Sequence, residues 1–372
     1  MYFKVSTSEL LNKLNIVSKA ISTNSPLPSL HGIKIDAEED RIYLTASDMD
    51  ISILATIYEN ENSKLHVFET GSVVLEARYF VDMIRKLDSD ELEIENTDGN
   101  LVEIRDESVH FELTDINADN YPLITFEKSD NLFDISAENL KNIIFQTSFA
   151  AAERETRPVL TGINLRCVDN ELIAVSTDSY RMAQKVIELD NSFDFNITVP
   201  SKTMNEIAKI IDGNDEIIEI SVFPNKVLFV IGDVLIQTRL IDGAYPDTTK
   251  LIRKDFTQEL VIDSKDILNA INRASFIKND GVSVIRMEIN QNEVVITSRS
   301  SEVGSIERIV PVRYEGENLN ISFKGQYVYD AVRALNSFQI SFKFNGEMKP
   351  FVITAVDNED VIQLVSPIRN FN

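Results

Sequence analysis

A pattern spaced by 124 residues recurs along this chain of 372, and nothing else in the sequence restricts its fold as severely. Self-similarity at a fixed step means that one module is repeated, so the fold of the module and the order of the copies have to be solved together. Apolar residues at i, i+3, i+4 and i+7 place one stripe of a helix toward a core. Such stripes fall at Phe80/Met83/Ile84/Leu87, Met204/Ile207/Ala208/Ile211 and Val328/Ala331/Val332/Leu335, each step being 124 residues. A second helix opens each copy, at Leu10/Leu14/Val17/Ile21, Leu140/Ile144/Thr147/Ala151 and Ile267/Ile271/Ala274.

Two further signals share the spacing. Tyr121-Pro122 and Tyr245-Pro246 lie 124 residues apart. Proline lacks the ladder donor and biases its predecessor toward extended geometry, so both pairs suit connectors between modules. LPSLHGIKI and RPVLTGINL align at an offset of 130, matching Pro28 with Pro158, Leu30 with Leu160 and Gly32 with Gly162. The same offset lays Ser47-Asp48 on Thr177-Asp178, whereas the third copy has Arg299-Ser300 at the equivalent place and is degenerate there.

Between the helices the sequence alternates as strands do. LEIENTDGNLVEIRDESVHFELT brackets Asp98-Gly99, a pair suited to tight hairpin turns. Similar runs surround EIIEISVFPNKVLFVIGDVLIQTRL and FQISFKFNGEMKPFVITAV. The expected class is α+β, with each copy built from two helices on one side of antiparallel sheets. Boundaries near 126 and 253 give domains 1–126, 127–253 and 254–372.

The net charge of −24 argues against nucleic acid until its distribution is read. The six helix segments, 7–22, 76–87, 136–150, 201–211, 264–278 and 324–335, together carry +6, leaving −30 on strands and loops. If the helices face one way, they form a basic surface backed by an acidic one. Lys13, Lys19, Arg78, Arg85, Lys86, Lys141, Lys202, Lys209, Arg273, Lys278, Lys324 and Arg333 are its candidates. With no zinc-finger spacing and no basic aromatic ladder, contact with phosphate is expected to be salt-sensitive and blind to sequence.

Catalysis finds little footing. His31, His66 and His110 are far apart in sequence, and no phosphate loop, dinucleotide fingerprint, nucleophile elbow or HExxH pair occurs. Asp48/Asp50 and Asp357/Glu359/Asp360 would be needed by a metal-dependent nuclease or hydrolase, yet Asp48 sits where aspartate caps a turn. No metal and no cofactor is expected. The single Cys167 reads as core packing and, with no signal-peptide pattern at the start, points to the cytoplasm. No stretch approaches 18 consecutive apolar residues, so no membrane span is expected. A monomeric acidic scaffold built from the same repeats is the rival binding module.

The repeat, LTASDMDIS, RPVLTGINL, STDSYRMA, IDGAYPD and the terminal VSPIRN, in that order, resemble the bacterial DNA polymerase III beta subunit family, the sliding clamps. The resemblance implies a homodimer whose six clamp-type domains close around double-stranded DNA and tether a polymerase without catalysing anything. It implies partners, among them DNA polymerase, the clamp loader and repair proteins, that dock short linear peptides in a pocket between the second and third domains. Carried over position by position, that pocket comprises Leu160, Thr177, Ser179, Tyr180, Arg181, Met182, Pro246, Leu251, Leu364, Ser366, Pro367, Ile368 and Arg369. The family often has Gly-His where this chain has Ser179-Tyr180, and an apolar residue at Ser366, which implies a narrower or more polar pocket. The tail Asn370 to Asn372 is long enough for Phe371 to cover part of it. By resemblance, Asn24, Arg154 and Arg157 join the DNA-facing set, and Phe111 and Leu113 meet Phe276 and Ile277 across the dimer boundary.

Overall fold

The computed structural model describes residues 1–22, 25–97, 100–154, 156–213, 216–253, 255–278, 281–300 and 302–368. Six helices form where the apolar stripes place them: α1 (Thr7–Val17), α2 (Ala77–Arg85), α3 (Ala137–Thr147), α4 (Ser201–Ile210), α5 (Ser264–Ala274) and α6 (Gly325–Leu335). Each follows directly on a strand, as Tyr2–Ser6 leads into α1 and Leu319–Lys324 into α6. The ends have local causes. Ser6 is the N-cap of α1 and accepts from the Glu9 N–H, and α6 stops at Asn336, whose φ of 48° is the left-handed cap conformation. One turn of 3-10 helix extends α1 through Ser18–Ala20 and α3 through Ser148–Ala150, which is why the sequence stripes run past the helix ends.

The chain divides into two compact units, residues 1–137 with 206–240 and residues 138–205 with 241–372. Each holds one large and one small antiparallel sheet. In the first unit the large sheet runs in the order Leu132–Ser136, Ile217–Val222, Lys226–Ile231, Val234–Arg239, Ile51–Tyr58, Arg41–Ser47, Gly32–Ala37, Gly71–Glu76. The small one runs His66–Glu69, Tyr2–Ser6, Glu91–Thr97, Leu101–Arg105, His110–Thr114. In the second unit nine strands run Phe195–Pro200, Gly162–Val168, Glu171–Thr177, Arg181–Glu188, Val361–Val365, Phe351–Ala355, Gln339–Phe344, Gln258–Asp263, Arg313–Glu315. Its four-stranded sheet runs Gly304–Ile309, Val294–Arg299, Val284–Ile289, Leu319–Lys324.

Each large sheet is completed by strands from two consecutive copies of the repeat. Ile51–Tyr58 pairs with Val234–Arg239, and Arg181–Glu188, one repeat later, pairs with Val361–Val365. Side chains alternate across a sheet, so each large sheet has a helix-packed face and an outer face. In the second unit Ile267, Ile271 and Ala274 of α5 and Val328, Ala331 and Val332 of α6 pack with Phe342, Phe344 and Phe351 in one buried cluster. Thr97 lies opposite Leu101, which makes the expected hairpin, although its turn residues Asp98 and Gly99 lie outside the described residues.

The paired glycines explain themselves. A Cβ on Gly162 would come within 2.6 Å of Thr198 Cγ2 and 2.7 Å of the Val199 carbonyl oxygen. One on Gly32 would meet Val74 Cγ1 at 2.5 Å and the Leu75 carbonyl oxygen at 3.0 Å. Both glycines let a strand lie close against the strand that feeds the second helix of its copy. Gly162→Ala is expected to lower stability by about 1–3 kcal/mol, the range for overpacking a filled site, read as a fall in the denaturant midpoint.

Candidate functional site

The outer face of the nine-stranded sheet carries a row of four residues in register. Thr177 lies opposite Met182, Met182 opposite Leu364, and Leu364 opposite Val352. Directly opposed residues share a face, so four strands contribute one side chain each to a continuous line. Val175, Gln184 and Ile362 form the next row on that face. Met182, Leu364, Val352 and Val175 make a small buried apolar cluster, with Ile173, Tyr245, Ile252, Phe256 and Ile362 packed against it. Three of those partners, Tyr245, Ile252 and Phe256, come from the connector that the second Tyr-Pro pair opens. Burial pushes the Tyr245 phenol above its usual range, the Thr177 backbone beside it offsetting a little.

Exposed apolar groups are present among the residues expected around this cluster: Tyr180 is 65 % exposed and Leu251 49 %. Pro246, Ser366, Pro367 and Ile368 are half-buried. The run-out of the chain is held at two points, the Ser366 N–H donating to the Tyr180 carbonyl (2.9 Å) and the Ile368 N–H to the Ser322 carbonyl (2.7 Å). Leu160 is buried in the 3-10 turn Pro158–Thr161, its carbonyl accepting from the Ala152 N–H. Arg369 and the tail residues Asn370, Phe371 and Asn372 lie outside the described residues.

Arg181 departs from the expected set. It opposes Val365, which in turn opposes Phe351, and both of those belong to the helix-packed core. Its side chain therefore leaves on the face away from Met182, where it meets Asp178 and Asp330. Sequence reasoning missed Val175, Val352, Tyr245, Ile252 and Phe256 as members or neighbours of this apolar cluster. Alternation carried the signal for Val352, between the inward Phe351 and Ile353, but only with the register of its neighbours known.

A repeated turn shapes the end of the groove. Asp178 Oδ1 accepts from the Tyr180 and Arg181 N–H groups at 2.9 and 3.0 Å, as Asp48 Oδ1 accepts from Asp50 and Ile51 at 3.0 and 2.9 Å. The third copy keeps the turn with serine: the Val303 N–H donates to Ser300 Oγ at 3.1 Å, and the Ser300 N–H to the Val303 carbonyl at 2.8 Å. What reads as degeneracy in sequence is a change of acceptor. The turn needs a left-handed residue, and Met49 and Ser179 both have a φ of 78°.

Asp357, Glu359 and Asp360 do not converge on a metal-binding geometry of their own: Glu359 pairs with Lys343 at 2.5 Å, Asp360 lies 3.9 Å from Lys185, and Asp357 faces Ser337. Across the five-stranded sheet Glu103 opposes Glu112 and, with His110, has ligand atoms within 4.8 Å. This grouping is invisible without the register, and Glu103 already accepts from Arg105 at 3.3 Å.

The basic candidates sit on the helices as expected, but many are already paired. Lys13 meets Asp233 at 2.5 Å, Lys19 and Lys209 meet Glu206 at 3.2 and 2.7 Å, Arg85 meets Asp82 at 3.1 Å, and Arg273 Nε donates to Glu307 at 2.9 Å. Arg78, Arg154, Arg157, Lys202 and Lys278 are exposed. Lys141 is half-buried with a partner, and Lys324 Nζ donates to the Tyr327 hydroxyl at 3.2 Å. Asn24 lies outside the described residues.

Each sheet ends on two edge strands. His110–Thr114 ends the five-stranded sheet and Gly304–Ile309 ends the four-stranded one. Phe111 and Leu113 are half-buried on the first edge, while Phe276 (67 %) and Ile306 (54 %) are exposed by the second. Ile277 is only 3 % exposed and belongs to the core, because the turn after α5 folds it inward; Ile306 takes its place as the exposed aliphatic. Among the described residues no helix is long and apolar enough to cross a membrane.

Three successive family models cover the chain. They are the N-terminal domain of the DNA polymerase III beta subunit at residues 1–125, its central domain at 134–247 and its C-terminal domain at 249–369. Over the full length of both proteins the chain is 39 % identical to a beta sliding clamp of Staphylococcus epidermidis and 38 % to that of Bacillus subtilis. The crystal structure of the DNA polymerase sliding clamp from Bacillus subtilis superposes with a TM-score of 0.96 at 37 % identity, all of each chain being covered. That of the beta subunit from Streptococcus pyogenes gives 0.94 at 32 %, again with complete coverage. Repeated α+β modules of the clamp type therefore define the class. The chain belongs to the DNA polymerase III beta subunit family, the beta sliding clamps, which are non-catalytic processivity factors.

At Ser179, glycine should be tolerated and a β-branched residue should not. Ser179→Val is expected to lower the thermal midpoint, at a cost of about 1–2 kcal/mol for forcing such a residue into the left-handed region, while Ser179→Gly stays near the parent.

Proposed function

We propose that two copies of this chain close into a ring around duplex DNA, through domains 1–126, 127–253 and 254–372 of each, and hold a polymerase there by peptides seated in the outer groove. The observation that carries the reading is the pair of edge strands 110–114 and 304–309, each with apolar side chains on or beside it. An exposed edge with apolar side chains invites another strand, and natural proteins rarely leave one unpaired. Pairing the 110–114 edge of one copy with the 304–309 edge of the other, twice about a two-fold axis, closes both edges and ends the assembly at a dimer. Phe111 and Leu113 would meet Phe276 and Ile306 there.

Enclosure separates persistence from affinity. Tight phosphate contacts would resist sliding, whereas a closed ring stays on through topology and needs only loose, wet contacts. The exposed Arg78, Arg154, Arg157, Lys202 and Lys278, which make no ion pair among the described residues, suit that role. Paired residues such as Lys13 and Lys19 contribute less, because their charge is already answered within the chain. The −30 carried outside the helices discourages DNA from the outer surface.

The groove suits an extended peptide with aliphatic and aromatic anchors, as apolar floors with polar rims generally do. DNA polymerase, clamp loader and repair proteins are the expected partners, in the cytoplasm.

Light scattering is expected to give twice the subunit mass of 42.1 kDa. Phe276→Asp should shift it toward one subunit, and a parent protein that runs as one subunit would favour the monomeric scaffold. Met182→Glu should weaken an anchor-bearing peptide by roughly thirtyfold or more, the loss typical of a central anchor pocket, while leaving the mass unchanged.

A further inference from the structure

We propose that Arg181 is a positioning residue that holds the peptide groove in shape from behind, without forming any part of its wall. The inference rests on the groove reading above and assigns a role within it. Arg181 Nε donates to Asp178 Oδ2 at 3.1 Å and Nη1 to Asp330 Oδ2 on α6 at 2.7 Å. Its guanidinium lies between the rings of Phe149 and Tyr327, 5.3 and 4.5 Å from their centroids, and the side chain is only 12 % exposed. Gln326 Nε2 donates to the other oxygen of Asp330 at 2.7 Å, so the acceptor is itself held.

The chain of consequences runs outward from that ion pair. Asp178 accepts Arg181 Nε on one oxygen and two turn N–H groups on the other, so the guanidinium fixes the carboxylate that sets the turn. The turn presents the Tyr180 carbonyl to the Ser366 N–H, which ties the last strand and its run-out to the groove. Met182, the next residue, points into the groove as Arg181 points away. Arginine suits the task because its planar fork reaches two carboxylates at once and stacks on aromatic faces, which lysine cannot do together.

The repeat supplies an internal control. At the position of Arg181 the first copy has Ile51, which reaches no carboxylate. There the helix acid equivalent to Asp330, Glu206 of α4, is met by Lys19 at 3.2 Å. The junction between the first and second copies thus keeps the turn, on the first, and an acid on the helix of the second that pairs with Lys19, but leaves the turn and that acid unconnected. At the junction between the second and third copies, beside the apolar cluster, Arg181 joins the two through one side chain. A buried charged pair is weak evidence for stability and is better explained where it fixes one conformation.

The test uses the full chain, a dye-labelled octapeptide with leucine and phenylalanine anchors, and amide exchange at residues 179–182. Arg181→Ile, the residue of the first copy, and Asp330→Asn should each weaken peptide binding tenfold or more and speed exchange in the turn. Arg181→Lys should fall between them and the parent. Glu206→Gln, which breaks the sister pair, should leave peptide affinity within twofold. Parent-like affinity and exchange in Arg181→Ile or Asp330→Asn would overturn the proposal; if one of these fails to fold, the other and Arg181→Lys decide. A parent chain that ignores the peptide would overturn the groove reading, and exchange at 179–182 would still decide whether Arg181 holds the turn.

Discussion

The backbone pairing between strands of consecutive repeats is the constraint on which the rest depends. Ile51–Tyr58 finds its partner in Val234–Arg239, and Arg181–Glu188 finds its own in Val361–Val365. Without the second pairing Met182 and Leu364 would have no common face, and the line from Thr177 to Val352 would not exist. A one-residue slip would turn Leu364 into the core and bring Gln363 or Val365 to the groove. Inward packing of Phe351, Val361 and Val365 against the helix cluster forbids that slip, so the core fixes the register and the register builds the groove.

The same economy governs the turns. One hydrogen-bonded loop appears three times with two kinds of acceptor ahead of the returning strand. Aspartate serves as acceptor at 48 and 178 and serine at 300, and the residue that opens the returning strand is Ile51 or Arg181 in the first two copies. Backbone geometry is kept while side-chain chemistry is free to diverge, and the divergence falls where a partner would bind. Ser179 is held at a positive φ, a cost offset in part by its N–H donating to Thr177 Oγ1 at 3.1 Å.

Much of the fold was legible because it rests on periodicity. The six helices, the hairpin around Asp98-Gly99 and the shared glycines announce themselves by spacing alone. The groove proposed for peptides was suggested only by resemblance, because its candidate residues come from four separate stretches of sequence. Arg181 and Ile277 mark the limit. Each lies beside a residue that points the other way, Met182 into the outer-face cluster and Phe276 into solvent, and only the direction of a side chain separates neighbours. Nothing in the sequence around Arg181 announces a carboxylate 149 positions away. Likewise the basic count on the helices was readable, but not that Asp233, Glu206 and Glu307 would answer a large part of it.

The polar layout of the helices and the edge strands 110–114 and 304–309 make sense together only if topology holds the protein on DNA. Retention after loading onto a nicked circular duplex, compared with the same duplex cut once, tests that claim most directly. Stable residence on the circle, with prompt loss once it is linearised, is the result this account predicts. Equal residence on both forms would mean that the chain grips DNA by affinity and would contradict it.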